Sequence, residues 1–147
     1  MTPARMARIH KAAFDRQRPW ARAEFVALLQ SASTIVEAGT AGFGLVRVIP
    51  PEAELLTLAV NPSAQRQGHG AAILRALIDR AEQRGATQMF LEVAQGNRRA
   101  MSLYRKVGFA ETGQRAGYYR YPDGTTDDAV LMRRELHPDS MCEVPAN

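Results

Sequence analysis

Three short stretches of the chain carry groups that could do chemistry. The first is QRQGHG, residues 65–70, where Gly68 and Gly70 fall at the expected start of a helix. The first N–H groups of a helix lack internal partners and carry the positive end of its dipole. A phosphate placed there accepts several hydrogen bonds at once. Glycine permits close approach, Arg66 can add a charge-assisted bond, and Gln67 and His69 keep the turn polar. No Gly-Lys-Ser/Thr follows, and the third glycine of a dinucleotide fingerprint is absent. Two glycines that only shape a strand-to-helix turn would read the same way.

The second is Glu92, the one charge in the apolar run MFLEVA, residues 89–94. Strand alternation puts Phe90 and Glu92 on one face and Met89, Leu91 and Val93 on the other. A carboxylate partly buried there holds its proton more firmly and suits a general base. A strand-end ion pair with an arginine is the other reading. The third is Tyr104, which shares a helical face with Ala100, Met101 and Val107. Its phenol could donate a proton, or pack in the core with its hydroxyl satisfied.

These residues need a frame. Apolar spacing predicts helices over 3–14, with Met6, Ile9, Ala13 and Phe14 on one face, and over 21–30. Strands follow at 33–39 and 42–49 around a glycine turn, then at 53–61, ended by Pro62. A helix over 69–84 is closed by Gly85, and a strand runs over 88–94. A helix over 97–107 stops at Gly108, and strands at 109–115 and 128–136 flank a loop. The order implies an α/β fold, a mixed central sheet with helices on both faces. The unit from 53 to 94 should be a right-handed parallel crossover. One domain over 1–137 is expected, with 138–147 as a flexible tail.

Composition narrows the function classes. Net charge is +4, and the 19 basic residues include only two lysines, Lys11 and Lys106, with no runs. That spread favours a cleft for an anionic ligand over direct nucleic-acid binding. No apolar run approaches the roughly 18 residues of a membrane span. The opening residues lack the apolar stretch of a secretory signal, so a cytoplasmic location is expected. The single cysteine, Cys142, allows no internal disulfide, and no Cys/His spacing suggests a metal.

LTLAVNPSAQRQGHGAAIL and LEVAQGNRRAMSLYRKVGF together resemble the GNAT acyltransferases. The family's Q/R-x-x-G-x-G/A motif matches Gln65, Gly68 and Gly70. Its N-x-x-A-x-x-L-Y-x-x-x-G-F signature matches Asn97, Ala100, Leu103, Tyr104, Gly108 and Phe109. The likeness runs from about residue 3 to 137 and implies the GNAT fold, with two parallel strands splayed apart. It implies acetyl-CoA as co-substrate, its pyrophosphate on Arg66, Gln67, Gly68, His69, Gly70 and Ala71. Main-chain groups of Leu58, Ala59 and Val60 would bond its arm, with Asn97 on the other side. The Val60 N–H would polarise the thioester carbonyl. Glu92 would then be the base and Tyr104 the acid.

Further residues resemble one branch, the RimI-type bacterial ribosomal-protein alanine N-acetyltransferases. They are Pro19 and Trp20, the run 59–70, the run 91–97, the pair Tyr118 and Tyr119, and residues 128–132. That likeness implies a protein N-terminus as acceptor, the N-terminal alanine of the eighteenth small-subunit ribosomal protein. Trp20, Tyr118 and Tyr119 would line the peptide groove, or else pack. Two departures stand out. Ala21 replaces the usual serine, and Arg120 and Tyr121 precede Pro122 where the branch more often has proline directly. A GNAT enzyme for a small amine or lysine, and a non-catalytic acetyl-CoA-binding module, are the other readings.

Overall fold

In the computed structural model, residues 1–14 and 16–138 are described; Cys142 and the tail beyond Pro138 lie outside them. The chain enters through α1, Pro3–Ala13, with proline in its first turn and the Thr2 hydroxyl capping the Arg5 N–H at 3.2 Å. Helix α2, Arg22–Leu29, is capped instead by Glu24, which accepts the Ala21 N–H at 3.0 Å. Strands β1 (Thr34–Ala38), β2 (Gly42–Ile49) and β3 (Glu52–Val60) form an antiparallel meander. Then come a short 3₁₀ turn at Pro62–Ala64, α3 (His69–Gln83), β4 (Gln88–Ala94) and α4 (Arg98–Lys106). Strands β5 (Ala110–Arg120) and β6 (Thr126–Glu135) close the fold.

The sheet runs β1-β2-β3-β4-β6-β5, with β3 and β4 its one parallel pair among the described residues. Helices α3 and α4 cover one face through a core that includes Leu74, Leu77, Met89, Leu91 and Met132. Helices α1 and α2 cover the other, packing Met6, Ile9 and Phe25 on Phe43, Leu45 and Ala59. The mixed α/β sheet with helices on both faces is therefore what the pattern leads one to expect.

Two features of β3 set the shape of the cleft beside it. Leu45 pairs with Thr57 but Val46 with Leu55, so Leu56 is an extra residue in β3. Such a bulge reverses the alternation of side chains. Ala53 and Leu55 face the α3 core, yet Ala59 faces α1, and Leu58 packs toward α3. The parallel ladder, moreover, joins only Glu52–Glu54 to Gln88–Phe90. Beyond it β3 and β4 part, leaving an edge of β3 unpaired along Leu58–Val60.

The last hairpin is longer than its sequence pattern suggests. The pattern ends strand β5 at Arg115, but in the fold its ladder to β6 breaks there and resumes at Tyr119 opposite Asp127. Gly117 sits in the break at φ +61°, a conformation glycine adopts without strain. Its N–H donates to Asp128 at 2.8 Å. The stretch is exposed almost throughout, so no apolar alternation marks it as strand.

Candidate active site

Where β3 and β4 diverge, two cavities open and meet. The first, about 650 Å³, runs from Leu58 and Val60 over the glycine turn to α4. Its charged lining is Arg66, Arg99 and Lys106, and no carboxylate of the described residues lines it. The second, about 830 Å³, lies under α2 and beside the last hairpin. It is lined by Glu24, Glu54 and Glu92, with Arg47 as its one permanent cation among the described residues. Phe14, Leu58, Asn97, Ala100 and Tyr104 line both.

The glycine turn is shaped by backbone conformation and by packing. Arg66 and Gly68 both take left-handed backbone, at φ 68° and 81°, and Gly68 caps α3. At Gly68 a side chain would meet open space, so conformation alone calls for glycine there. Gly70 differs, because a Cβ there would stand 3.1 Å from Leu103. Its lack of a side chain lets α3 begin close against α4. Gln65 donates to the Val60 carbonyl at 3.1 Å and accepts from Arg99 at 2.7 Å, tying β3, the turn and α4 together. His69, Gly70 and Ala71 line the cationic cavity; Gln67 does not, and the Ala59 side chain is buried against the α1 face. Ala59 lines neither cavity, whereas Leu58 and Val60 line the first.

Asn97 caps α4, its side-chain oxygen accepting the Ala100 N–H at 3.3 Å. That use of the oxygen leaves its amide N–H groups as donors. Tyr104 is buried, and its hydroxyl has no protein hydrogen-bond partner among the described residues. Burial, and secondarily the nearby Tyr119, push its pKa well above the usual phenol value. It is a neutral donor at the junction of the cavities. Tyr119 is pushed up to about 12, first by burial and then by the Glu92 carboxylate. Glu92, Tyr119 and Tyr104 thus form one neighbourhood.

Glu92 lies on the β4 face away from the core, as alternation predicts. Its side chain keeps 33% of its surface and stands 3.5 Å from Arg115. The residue as a whole is exposed, so the partial burial expected there is not found, and the arginine pairing is present. Glu24 and Glu54 also have arginine partners, Arg18 at 2.7 Å and Arg47 at 3.4 Å. Tyr118 and Tyr119 line the acidic cavity with their rings 5.2 Å apart and nearly perpendicular. Trp20 lines it from the other side.

Sequence reasoning missed His10. It is 3% exposed, stacks on Trp20 at 5.0 Å, and accepts the Trp20 N–H at Nδ1 over 3.3 Å. The signal was present, since His10 follows Met6 by four residues on the buried side of α1. Desolvation lowers its pKa to about 4, outweighing the pull of Glu24. Between about pH 4 and 6.5 the unfolded chain therefore binds a proton that the fold refuses. Stability should fall as pH drops through that window, by on the order of 3 kcal/mol. His10→Gln should flatten this limb in denaturant titrations between about pH 7 and about pH 4.5. Parallel limbs in the two proteins would remove His10 from the acid response.

Known proteins share this architecture. Residues 4–109 match the model of the acetyltransferase (GNAT) family. The ribosomal protein bS18-alanine N-acetyltransferase of Escherichia coli K12 is 44% identical over 92 residues, 63% of this chain and 62% of that protein. The match thus spans less than two thirds of that relative's length. The N-alpha-acetyltransferase RimI of Mycobacterium tuberculosis is 37% identical over 124 residues, 84% of this chain and 73% of that protein. The crystal structure of the ribosomal-protein-S18-alanine N-acetyltransferase from E. coli superposes with a TM-score of 0.79 at 34% identity, covering 91% of this chain and 86% of that one. With the splayed strands, the glycine turn and the family match over most of its length, the chain belongs to the GNAT acetyltransferase family.

Proposed function

We propose that the protein transfers acetyl from acetyl-CoA to the α-amine of a protein N-terminus. The acceptor suggested by its relatives' names is the N-terminal alanine of ribosomal protein bS18. One observation carries the reading. A cationic cavity without carboxylates among the described residues meets, at Tyr104 and Asn97, a second cavity lined by carboxylates and aromatic rings. An anionic cofactor suits the first and an amine the second.

The residues divide the work accordingly. The turn 66–71 would take the pyrophosphate, and the open edge of Leu58–Val60 would bond the arm as an added strand does. Asn97 would donate to the arm from the other side. The Val60 N–H would face the acetyl carbonyl oxygen. Glu92 would accept the amine's proton, directly or through water, as nitrogen attacks the acetyl carbon. Tyr104 would give its proton to the sulfur as the carbon–sulfur bond breaks. No metal is needed for these steps, and a cytoplasmic site of action fits the acceptor.

Intact-mass analysis with acetyl-CoA tests the reading. The acceptors are a peptide beginning Ala-Arg-Tyr, the same peptide with its N-terminus blocked, and one with an internal lysine. One acetyl on the free N-terminus alone is the expected result. Transfer to lysine or to small amines would redirect the reading to another acceptor class. Acetyl-CoA bound without transfer to any amine would make the protein a binding module.

A further inference from the structure

Tyr121, one of the two residues that interrupt the family pattern before Pro122, is only 8% exposed. The Arg16 guanidinium covers its ring, 4.1 Å from the centroid. The same guanidinium donates to the Thr125 hydroxyl at 3.1 Å and lies 4.0 Å from the Asp123 carboxylate. The turn that receives it is closed by its own bonds. The Tyr121 N–H reaches the Thr125 carbonyl at 2.9 Å, and Asp123 accepts both the N–H and hydroxyl of Thr125, at 2.9 and 2.6 Å.

On its far side Tyr121 donates to Asp127 at 3.2 Å, and Asp127 accepts the Gly96 N–H at 2.9 Å. Gly96 immediately precedes Asn97, which lines both cavities. Arg16 lies between Phe14 and Gln17, and Tyr121 lies just past Tyr119. Phe14, Gln17, Tyr118 and Tyr119 all line the acidic cavity. The contact therefore ties residues 16–21 of the α1–α2 linker to the opposite wall of that cavity.

We propose that Arg16 on Tyr121 is a latch that holds the α1–α2 linker against the β5–β6 hairpin across the acceptor cavity, making Arg16 a positioning residue for the acceptor. The proposal rests on the reading that this cavity takes the acceptor. A cation over an aromatic face, backed by a hydroxyl acceptor, suits the task because it holds while partly wet. Lysine would keep the charge but lose the planar fork that spans ring and hydroxyl.

The test compares the full chain with Arg16→Ala and Arg16→Lys on the free-amine peptide. Arg16→Ala should raise the peptide KM roughly 5-fold to 10-fold, with kcat and the acetyl-CoA KM within about 2-fold. Arg16→Lys should recover part of the loss. Hydrogen exchange gives a second readout that does not depend on activity. In Arg16→Ala the amides of Trp20 and Ala21 should exchange faster, because the linker carrying them is released. An unchanged peptide KM overturns the latch, as does a loss confined to kcat or unchanged exchange in the linker. If the unaltered chain acetylates no peptide, the functional reading fails, and the exchange comparison still decides the latch.

Discussion

Tyr104→Phe should lower kcat for peptide acetylation by about 100-fold while leaving acetyl-CoA binding nearly unchanged. The ring stays, so its edge contact with Phe109 at 6.0 Å is kept. The hydroxyl has no protein partner to lose among the described residues, so stability should change little. What is removed is the proton that the proposed mechanism gives to the departing thiolate. The raised pKa sets a further expectation. A phenol held above its usual range stays protonated across the working range, so Tyr104 should add no alkaline fall to the pH profile. Stopped-flow or continuous thiol release gives kcat, and calorimetry with acetyl-CoA gives the affinity. A variant with full kcat would return Tyr104 to a packing role.

The second large effect is expected at Glu92. Glu92→Gln should cost about 100-fold in kcat/KM near neutral pH, and the deficit should shrink as pH rises. The reason lies in the proposed acceptor. An α-amine titrates near 8, so a growing share is already neutral at higher pH and needs no base. The competing explanation is structural, since Glu92 pairs with Arg115 at 3.5 Å. Both side chains are well exposed, at 33% and 54%, so the pair should contribute no more than about 1 kcal/mol. Arg115→Gln is therefore the control. If the pair were all that mattered, both variants would show the same small change at every pH. A Glu92→Gln enzyme with a constant deficit from about pH 6.5 to about pH 9 would end the general-base assignment.

The two effects draw on different parts of the molecule. Glu92 faces out of the sheet because strand alternation leaves it no other choice, with Leu91 and Val93 buried beside it. Tyr104 faces in because Met101 and Val107 share its side of α4. Both orientations are local consequences of period, and both are readable before any fold is known. So is the glycine turn, because a helix start with left-handed backbone is written in a few adjacent residues. Asn97, which the pattern places inside the helix over 97–107, instead caps it.

Other features were hidden because they depend on distant partners. The extra residue at Leu56 shows only when β3 is laid against β2, since a bulge is defined by its neighbour's register. It decides that Leu58 turns to the α3 side and Ala59 to the α1 side, the reverse of what unbroken alternation from Ala53 and Leu55 gives. The extension of β5 past Gly117 depends on Asp127 and Asp128 from the next strand. His10 sits at a core position of α1, but its neutral state comes from the rings of Phe14, Trp20 and Phe25 that enclose it.

By itself the sequence determined the order of elements, the glycine turn at the start of α3, and the faces that carry Glu92 and Tyr104. These are short-range properties, set by helix and strand periods and by backbone that only glycine adopts easily. Only the tertiary structure decided that β3 and β4 part after three paired residues. It also decided that two cavities of opposite lining meet at Tyr104, and that Arg16 closes on a turn 109 residues away. The physical reason is that charge, burial and width at a site are sums over groups that packing brings together, and no local period records them.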